Sequence, residues 1–511
     1  MDPEISVIPL ITILVPLAAA LAIIASRSRP NMKHVISILA AGSNCVLVLS
    51  MAPLILQGYT IQLPLFTVLP GIEFGFRVDS LGMIFASVSS LLWVAAAIYS
   101  IGYMRSLNEK SQSRFFACFA TSLAAAIGGA FSANLFTLVI FYEVLSLVTY
   151  PLVYHKENAN SWLGSKKYLV YLVGASKTFL LAALALTFAV TGSLNFDSGG
   201  IFNEINASPL LLTVIYFCFL AGFAKAAIMP LHIWLPSAMV APTPVSALLH
   251  AVAVVKMGVF CVLRVVFDVF GQDTLQRLDL GIATAYLVSF TIIMASVYAL
   301  TQDDLKARLA YSTVSQLSYI ILGAVLLTPA STLGGLLHIA SHGVSKITLF
   351  FCAGSLYCAA RKTKISELAG IGRQLPWTMT AFFIASLGMI GIPPASGFIS
   401  KWYLLTGTIE AEQLVFLGVL LASSLLNAAY FLPISYKAFF ESRPPLSSHA
   451  DNTGHIPSSS MSSEAISSQA MSSGAREIPL VTIPLVITAL LSLALGVYPD
   501  YFLALARGVQ G

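Results

Sequence analysis

The feature that most constrains this chain is its succession of apolar runs, each long enough to cross a lipid bilayer, following one another almost without pause. In lipid every backbone N–H and C=O must find its partner inside the protein, so such runs fold as helices packed side by side. We expect an all-α polytopic membrane protein. About fourteen transmembrane helices are legible, at 5–25, 34–55, 78–103, 114–131, 134–154, 167–191, 209–235, 241–268, 278–300, 308–328, 332–359, 376–406, 413–440 and 477–505. Composition agrees, with 57% hydrophobic and 10% charged residues. The mean hydropathy is +0.86. The first run, ISVIPLITILVPLAAALAIIA, follows acidic Asp2 and Glu4 and no basic stretch, so it reads as a span and not a cleaved signal.

Basic residues divide unevenly between alternate loops. One side holds Arg27, Arg29, Lys33, Arg105, Lys110, Arg114, Lys156, Lys166, Lys167, Lys306, Arg308, Arg361, Lys362, Lys364, Arg373, Lys437, Arg443 and Arg476; the other holds Arg77, Arg264, Arg277 and Arg507. The positive-inside rule puts the richer side in the cytoplasm and both termini outside, in a prokaryotic-type inner or plasma membrane. The net charge of +5 is this loop bias and needs no nucleic acid to explain it. Residues 441–476 carry MSSEA, ISSQA and MSSGA, a serine-rich stretch that reads as a flexible cytoplasmic loop. The six cysteines lie in apolar runs with no C-x-x-C, and neither a P-loop nor a strand-linked G-x-G-x-x-G is present. No cofactor or metal is expected, so an ion gradient or a partner must supply the energy.

Removing residues in loops or at span ends leaves an unusual remainder. Lys177, Lys225, Lys256, Lys346 and Lys401 lie within spans, together with His232, His250, His338 and His342, against a single acid well inside a span, Glu143. Each charge at mid-bilayer costs about 2.5–3.5 kcal/mol on insertion scales. One glutamate neutralises at most one lysine, so the others are either hydrated by internal water or neutral, and both states suit a proton path. Lys177 and Lys401 also permit a snorkelling reading if the span ends shift by a turn. His338, His342 and Lys346 are spaced i, i+4, i+8 and share one helix face. His232 alone reads equally well as a satisfied buried donor.

Two spans carry prolines at their centre, Pro230 in GFAKAAIMPLHIWLP and Pro393–Pro394 in GMIGIPPASGFISKW. A proline there frees backbone carbonyls, which a membrane protein tolerates only where protein or water takes them up. Broken helices at corresponding places in two halves point to a transporter ion site. GASKTFLL at 174–181 and GVSKITLF at 343–350 lie five spans apart, an offset that inverts membrane orientation.

Four motifs in order, LHIWLPSAMVAPTPVSALLHAVAVVKMGVFCVLR, DDLKARLAYSTVSQLSYI, ISELAGIGRQLPWT and GIPPASGFISKWYLL, resemble the antiporter-like subunits of respiratory complex I, of Mrp-type cation/proton antiporters and of membrane-bound hydrogenases. The likeness leans to the D-type Mrp subunit, or to the complex I subunit with lysine in span 12. It implies spans 1–3 (1–113), two inverted five-helix repeats in spans 4–8 (114–268) and 9–13 (278–440), and a last span (477–511). It also implies residue roles. Glu143 pairs with Lys225; His250 and Lys256 connect onward; His338, His342 and Lys346 bridge to the second half; Lys401 is terminal, and Lys177 matches Lys346. The function implied is proton translocation, as Na⁺/H⁺ antiport among other integral membrane subunits. A proton-pumping subunit of an NADH:quinone oxidoreductase or hydrogenase, whose redox chemistry partners would supply, stands beside it. A solitary solute transporter is the third reading.

Overall fold

The computed structural model describes residues 4–203, 205, 207–442 and 475–510. Its helices are α1 Ile8–Ala25, α2 Pro30–Leu56, α3 Ser80–Ser106, α4 Gln112–Ala130, α5 Leu135–Val153, α6 Ala159–Thr191, α7 Pro209–Gly222, α8 Val245–Arg277, α9 Leu280–Thr301, α10 Leu305–Val325, α11 Pro329–Ala360, α12 Pro376–Ile390, α13 Gly397–Glu410, α14 Leu414–Phe440, α15 Pro479–Val497 and α16 Asp500–Arg507. The fold is that of a polytopic helical membrane protein. Among the described residues, 11 helices are long and apolar enough to cross a membrane. Every expected span overlaps a helix, but span 7 keeps only the 14-residue α7, and span 12 is split into α12 and α13.

Not all of the structure is helical. β1 (Glu4–Ile5), β2 (Ile61–Leu69) and β3 (Ile72–Val78) form a small sheet, β1 parallel to β2 and β2 antiparallel to β3 with Ile61 opposite Val78. The alternation IEFGFRV and the turn at Pro70–Gly71, where Gly71 has φ +81°, carry the signal for this hairpin. β3 runs straight into α3, and Asp79 caps that helix by accepting from the Gly82 amide at 2.9 Å. A bridge from Phe76 to Ser132 binds the next loop to this hairpin, and one from Asn134 to Asn195 joins that loop to the one after α6.

α8 is the centre of the bundle. Its apolar stretch is wholly buried, and those of α3, α4 and α11 are 78% buried, whereas that of α6 is only 28% buried. The most enclosed helices therefore carry Lys256 and the His338–Lys346 face, and α6 lies at the periphery. Three stretches open into wider π-type turns, at Ser176–Leu180, Val245–Ala253 and Val265–Phe270. Each holds a polar residue of interest, Lys177, His250 and Asp268, and such turns recur at functional sites. The serine-rich stretch falls almost entirely on residues 443–474, outside the described residues.

α8 also corrects the charge partition. It runs to Arg277, so Arg264 is buried well within the helix and not at a span end. Its guanidinium donates to both Asp79 oxygens at 2.6 and 2.7 Å and to Asp268 Oδ2 at 2.8 Å. Glu143 is accordingly not the one acid enclosed by the bundle. The Arg264 guanidinium thus supplies the counter-charge for both buried carboxylates. The i, i+4 pair Arg264/Asp268 and an aspartate at the start of a span are the available sequence signals.

Candidate ion-translocation site

The first break is built around Lys225. α7 stops at Gly222, a tight turn carries Ala224–Ala226, and Ala227 takes a left-handed φ of +56°. The freed backbone groups are taken up by side chains. Trp234 Nε1 donates to Ala224 O at 2.9 Å, and the Lys225 amide donates to Tyr142 Oη at 3.2 Å. α8 lies hard against this turn, since a Cβ on Gly258 would run into the Ala226 backbone nitrogen. The Lys225 ammonium is fully buried. It donates to Tyr142 O at 2.7 Å and Ser146 Oγ at 2.6 Å, and sits 3.1 Å from the centre of the Tyr142 ring.

Glu143 is beside this site but does not hold Lys225. Its Oε2 lies 3.4 Å from Lys177 Nζ, and its buried Oε1 has no hydrogen-bond partner among the described residues. The expected Glu143–Lys225 ion pair is thus replaced by Glu143–Lys177. The geometry explains why: Glu143 follows Tyr142 on α5, so it points one position around the helix, toward α6 and away from the Lys225 turn. Lys177 is 53% exposed on the peripheral helix, so its ammonium is on the lateral surface and the carboxylate is what holds it there. Its sequence counterpart Lys346 is instead fully enclosed.

The second break is built around Lys401. α12 ends at Ile390, Gly391 has φ +92°, and the chain passes Pro393 and Pro394 before α13. Lys401 reaches back and donates to Met389 O at 2.9 Å and Ile390 O at 3.0 Å, and to Ser424 Oγ at 3.1 Å. Those carbonyls are the unpaired ones at a helix C-terminus, where the helix dipole favours a cation. The break thereby makes its own cation site. All three prolines are exposed, so they shape the breaks without lining the lysine sites.

Between the breaks lie the remaining groups. Lys256 donates to Ala251 O at 2.8 Å, within the wide turn that also carries His250. Lys346 donates to Ser312 Oγ at 2.8 Å and Leu309 O at 3.2 Å. His338 bridges Gln316 Oε1 at 2.8 Å and Ser400 Oγ at 2.9 Å, which ties it to the residue next to Lys401. The His338 and His342 rings stack at 5.8 Å, as their spacing requires. His250 and His342 are buried, and among the described residues neither ring nitrogen of either has a hydrogen-bond partner. His232 is half-buried against Tyr311 at 6.2 Å, and among the described residues no hydrogen bond joins it to a lysine. The arrangement therefore brings together Lys225, Lys256, Lys346 and Lys401 as buried amines. Each is held by carbonyls or hydroxyls, and among the described residues none has a carboxylate within ion-pair distance.

Residues 132–427 match the family model described as NADH:quinone oxidoreductase/Mrp antiporter, transmembrane, and residues 70–116 match that of the complex I chain 5 N-terminus. The chain is 34% identical over 365 residues to NADH-quinone oxidoreductase subunit N of Desulforudis audaxviator (strain MP104C), covering 70% of this chain and 71% of that one. It is 32% identical over 347 residues to a probable K(+)/H(+) antiporter subunit of Rhizobium meliloti (strain 1021), covering 67% of this chain and 34% of that one, so it spans about a third of that relative. One chain of the Mrp complex from Dietzia sp. DQ12-45-1b aligns with a TM-score of 0.84 over 98% of this chain and 96% of that one, at 22% identity, a likeness of fold.

Proposed function

The chain belongs to the NADH:quinone oxidoreductase/Mrp antiporter transmembrane family, and from that premise we propose that it translocates protons as one subunit of a multisubunit membrane complex, in Mrp-type Na⁺/H⁺ antiport. The observation that carries this reading is the set of four buried lysines held by neutral oxygens, two of them at broken helices. An amine so held can give up and regain its proton without leaving a buried ion pair half-broken, which would be costly. Protons pass from Lys225 by His250 and Lys256, then by His338, His342 and Lys346, to Lys401. Glu143 is the control. While it holds Lys177 it leaves Lys225 free to release its proton; when it turns to Lys225 it keeps that proton in place. Its unpartnered Oε1 supports such a shared role. Residues 114–268 and 278–440 act as the two inverted halves, one per break, with both termini on the outer face.

The lateral surface supports partners. A half-exposed lysine in a sparsely buried membrane helix needs company other than lipid. α6, which also exposes Trp162, Leu163 and Val170, is accordingly read as a face for a neighbouring integral subunit. The likeness to NADH-quinone oxidoreductase subunit N favours a second reading, proton pumping driven by a redox partner. The whole complex in sealed vesicles, with pH and Na⁺ gradients followed separately, tests both. Proton movement against a Na⁺ gradient supports antiport, proton movement that needs electron transfer supports the second reading, and no ion movement by an intact complex overturns both.

A further inference from the structure

A polar cavity of about 190 Å³ opens on the hairpin face, lined by Gln62, Glu73, Arg77, Asn134, Asn195 and Phe196 among others. That is room for several water molecules. Its inner wall is continuous with the buried ion cluster. Arg77 lies 3.6 Å from Asp79, and the Phe196 ring lies 5.2 Å from the Arg264 guanidinium. From Arg264 inward, α8 presents Phe260 and then Lys256 at steps of four residues, so all three share one face. Phe260 stacks on Phe85 of α3 with ring centres 5.3 Å apart, and the Arg264 guanidinium lies 5.0 Å from the centre of the Phe260 ring. On the far side the Lys256 amine is packed against Gly343 of α11, where an added Cβ would lie 3.3 Å from Nζ and 3.1 Å from Val88.

We propose that this cavity is an outer mouth of the ion path, reaching Lys256 through a closed gate formed by the stacked rings of Phe85 and Phe260. The Asp79–Arg264–Asp268 cluster is its frame. It fixes α3 against α8, so the two rings meet, and it offers carboxylate oxygens on the vestibule side of the gate. Two stacked apolar rings interrupt a proton wire, because neither ring offers a hydrogen-bonding group. Opening requires α3 and α8 to part by the thickness of one ring. The path would let protons leave from the middle of the chain of lysines as well as from its Lys401 end. This inference rests on the ion-translocating reading, but its test is a passive leak that needs no coupled transport.

The experiment uses the whole complex in vesicles with an imposed pH gradient and no driving ion or electron donor. Phe260→Ala should speed decay of the gradient several-fold over wild type, and Phe260→Leu should restore the tight state. Phe85→Ala should leak likewise, which covers failure of either variant to assemble. Adding Asn195→Cys to Phe260→Ala and labelling it with a bulky, membrane-impermeant thiol reagent should slow the leak again. Gradient decay at the wild-type rate in assembled Phe260→Ala and Phe85→Ala complexes overturns the gate. A leak that labelling at position 195 does not slow overturns the mouth. Absence of coupled transport by the wild-type complex, with both leak results intact, would count against the proposed function and not against the gate.

Discussion

The two broken helices solve one problem in different ways. Lys401 is held by its own break, bonded to the last two carbonyls of α12, with no acid paired to it among the described residues. Lys225 is held by a neighbour, with Tyr142 and Ser146 of α5 supplying oxygens and an aromatic face while Glu143 sits one residue away. The difference teaches where control can enter. A lysine bound to its own helix terminus has a fixed partner. A lysine bound to another helix next to a movable carboxylate has one that can change.

The comparison can be broken by mutation, and outside the Lys225 site itself the largest effect is expected at the self-contained site. Lys401→Ala removes the cation from the α12 terminus and should lower ion flux more than tenfold, a loss of over ~1.4 kcal/mol in the rate-limiting step. Flux near wild type in an assembled Lys401→Ala complex would show that the second break is structural. The frame beneath the first half comes next. Arg264→Leu leaves Asp79 and Asp268 buried without their partner and should cost about 3–5 kcal/mol, read as a lower thermal midpoint of the purified complex. Lys177→Met should have a smaller effect. Freed from Lys177, Glu143 should favour Lys225 and slow transport by no more than about fivefold, the scale of a partly exposed ion pair; Lys177→Arg should retain the wild-type rate.

The smallest effect concerns the loop that ends α5. Burial, and then the nearby Arg114 charge, lower the His155 imidazole to about 4. The unfolded chain takes up this proton first, near pH 6.5, so stability should fall as the pH drops from about 6.5 toward 4 and level off below. The thermal midpoint of a His155→Phe complex should lose that part of the pH dependence; an unchanged slope would remove His155 as its source.

Much of this could be read from the residues. Apolar runs in series dictate membrane helices because lipid leaves the backbone no other partner, and Pro230, Pro393 and Pro394 mark where two of them break. The spacing of His338, His342 and Lys346 placed them on one face, and the rings do stack. What the sequence hid was partner choice. Which lysine Glu143 meets depends on how α5, α6 and the Lys225 turn rotate against one another, and a shift of one residue around α5 gives it to Lys177. The Asp79–Arg264–Asp268 cluster was obscured because span ends are soft in a sequence, so charges that α8 buries resembled span-end residues. The hairpin was missed because its hydrophobic alternation lies between two much stronger apolar runs.

The central claim is that Glu143 governs the proton on Lys225. Its most direct test is ion flux by the whole complex in vesicles carrying Lys225→Ala or Glu143→Ala, with assembly verified. The account predicts that Lys225→Ala abolishes proton movement and that Glu143→Ala uncouples it or slows it strongly. Wild-type transport by both assembled variants would contradict it.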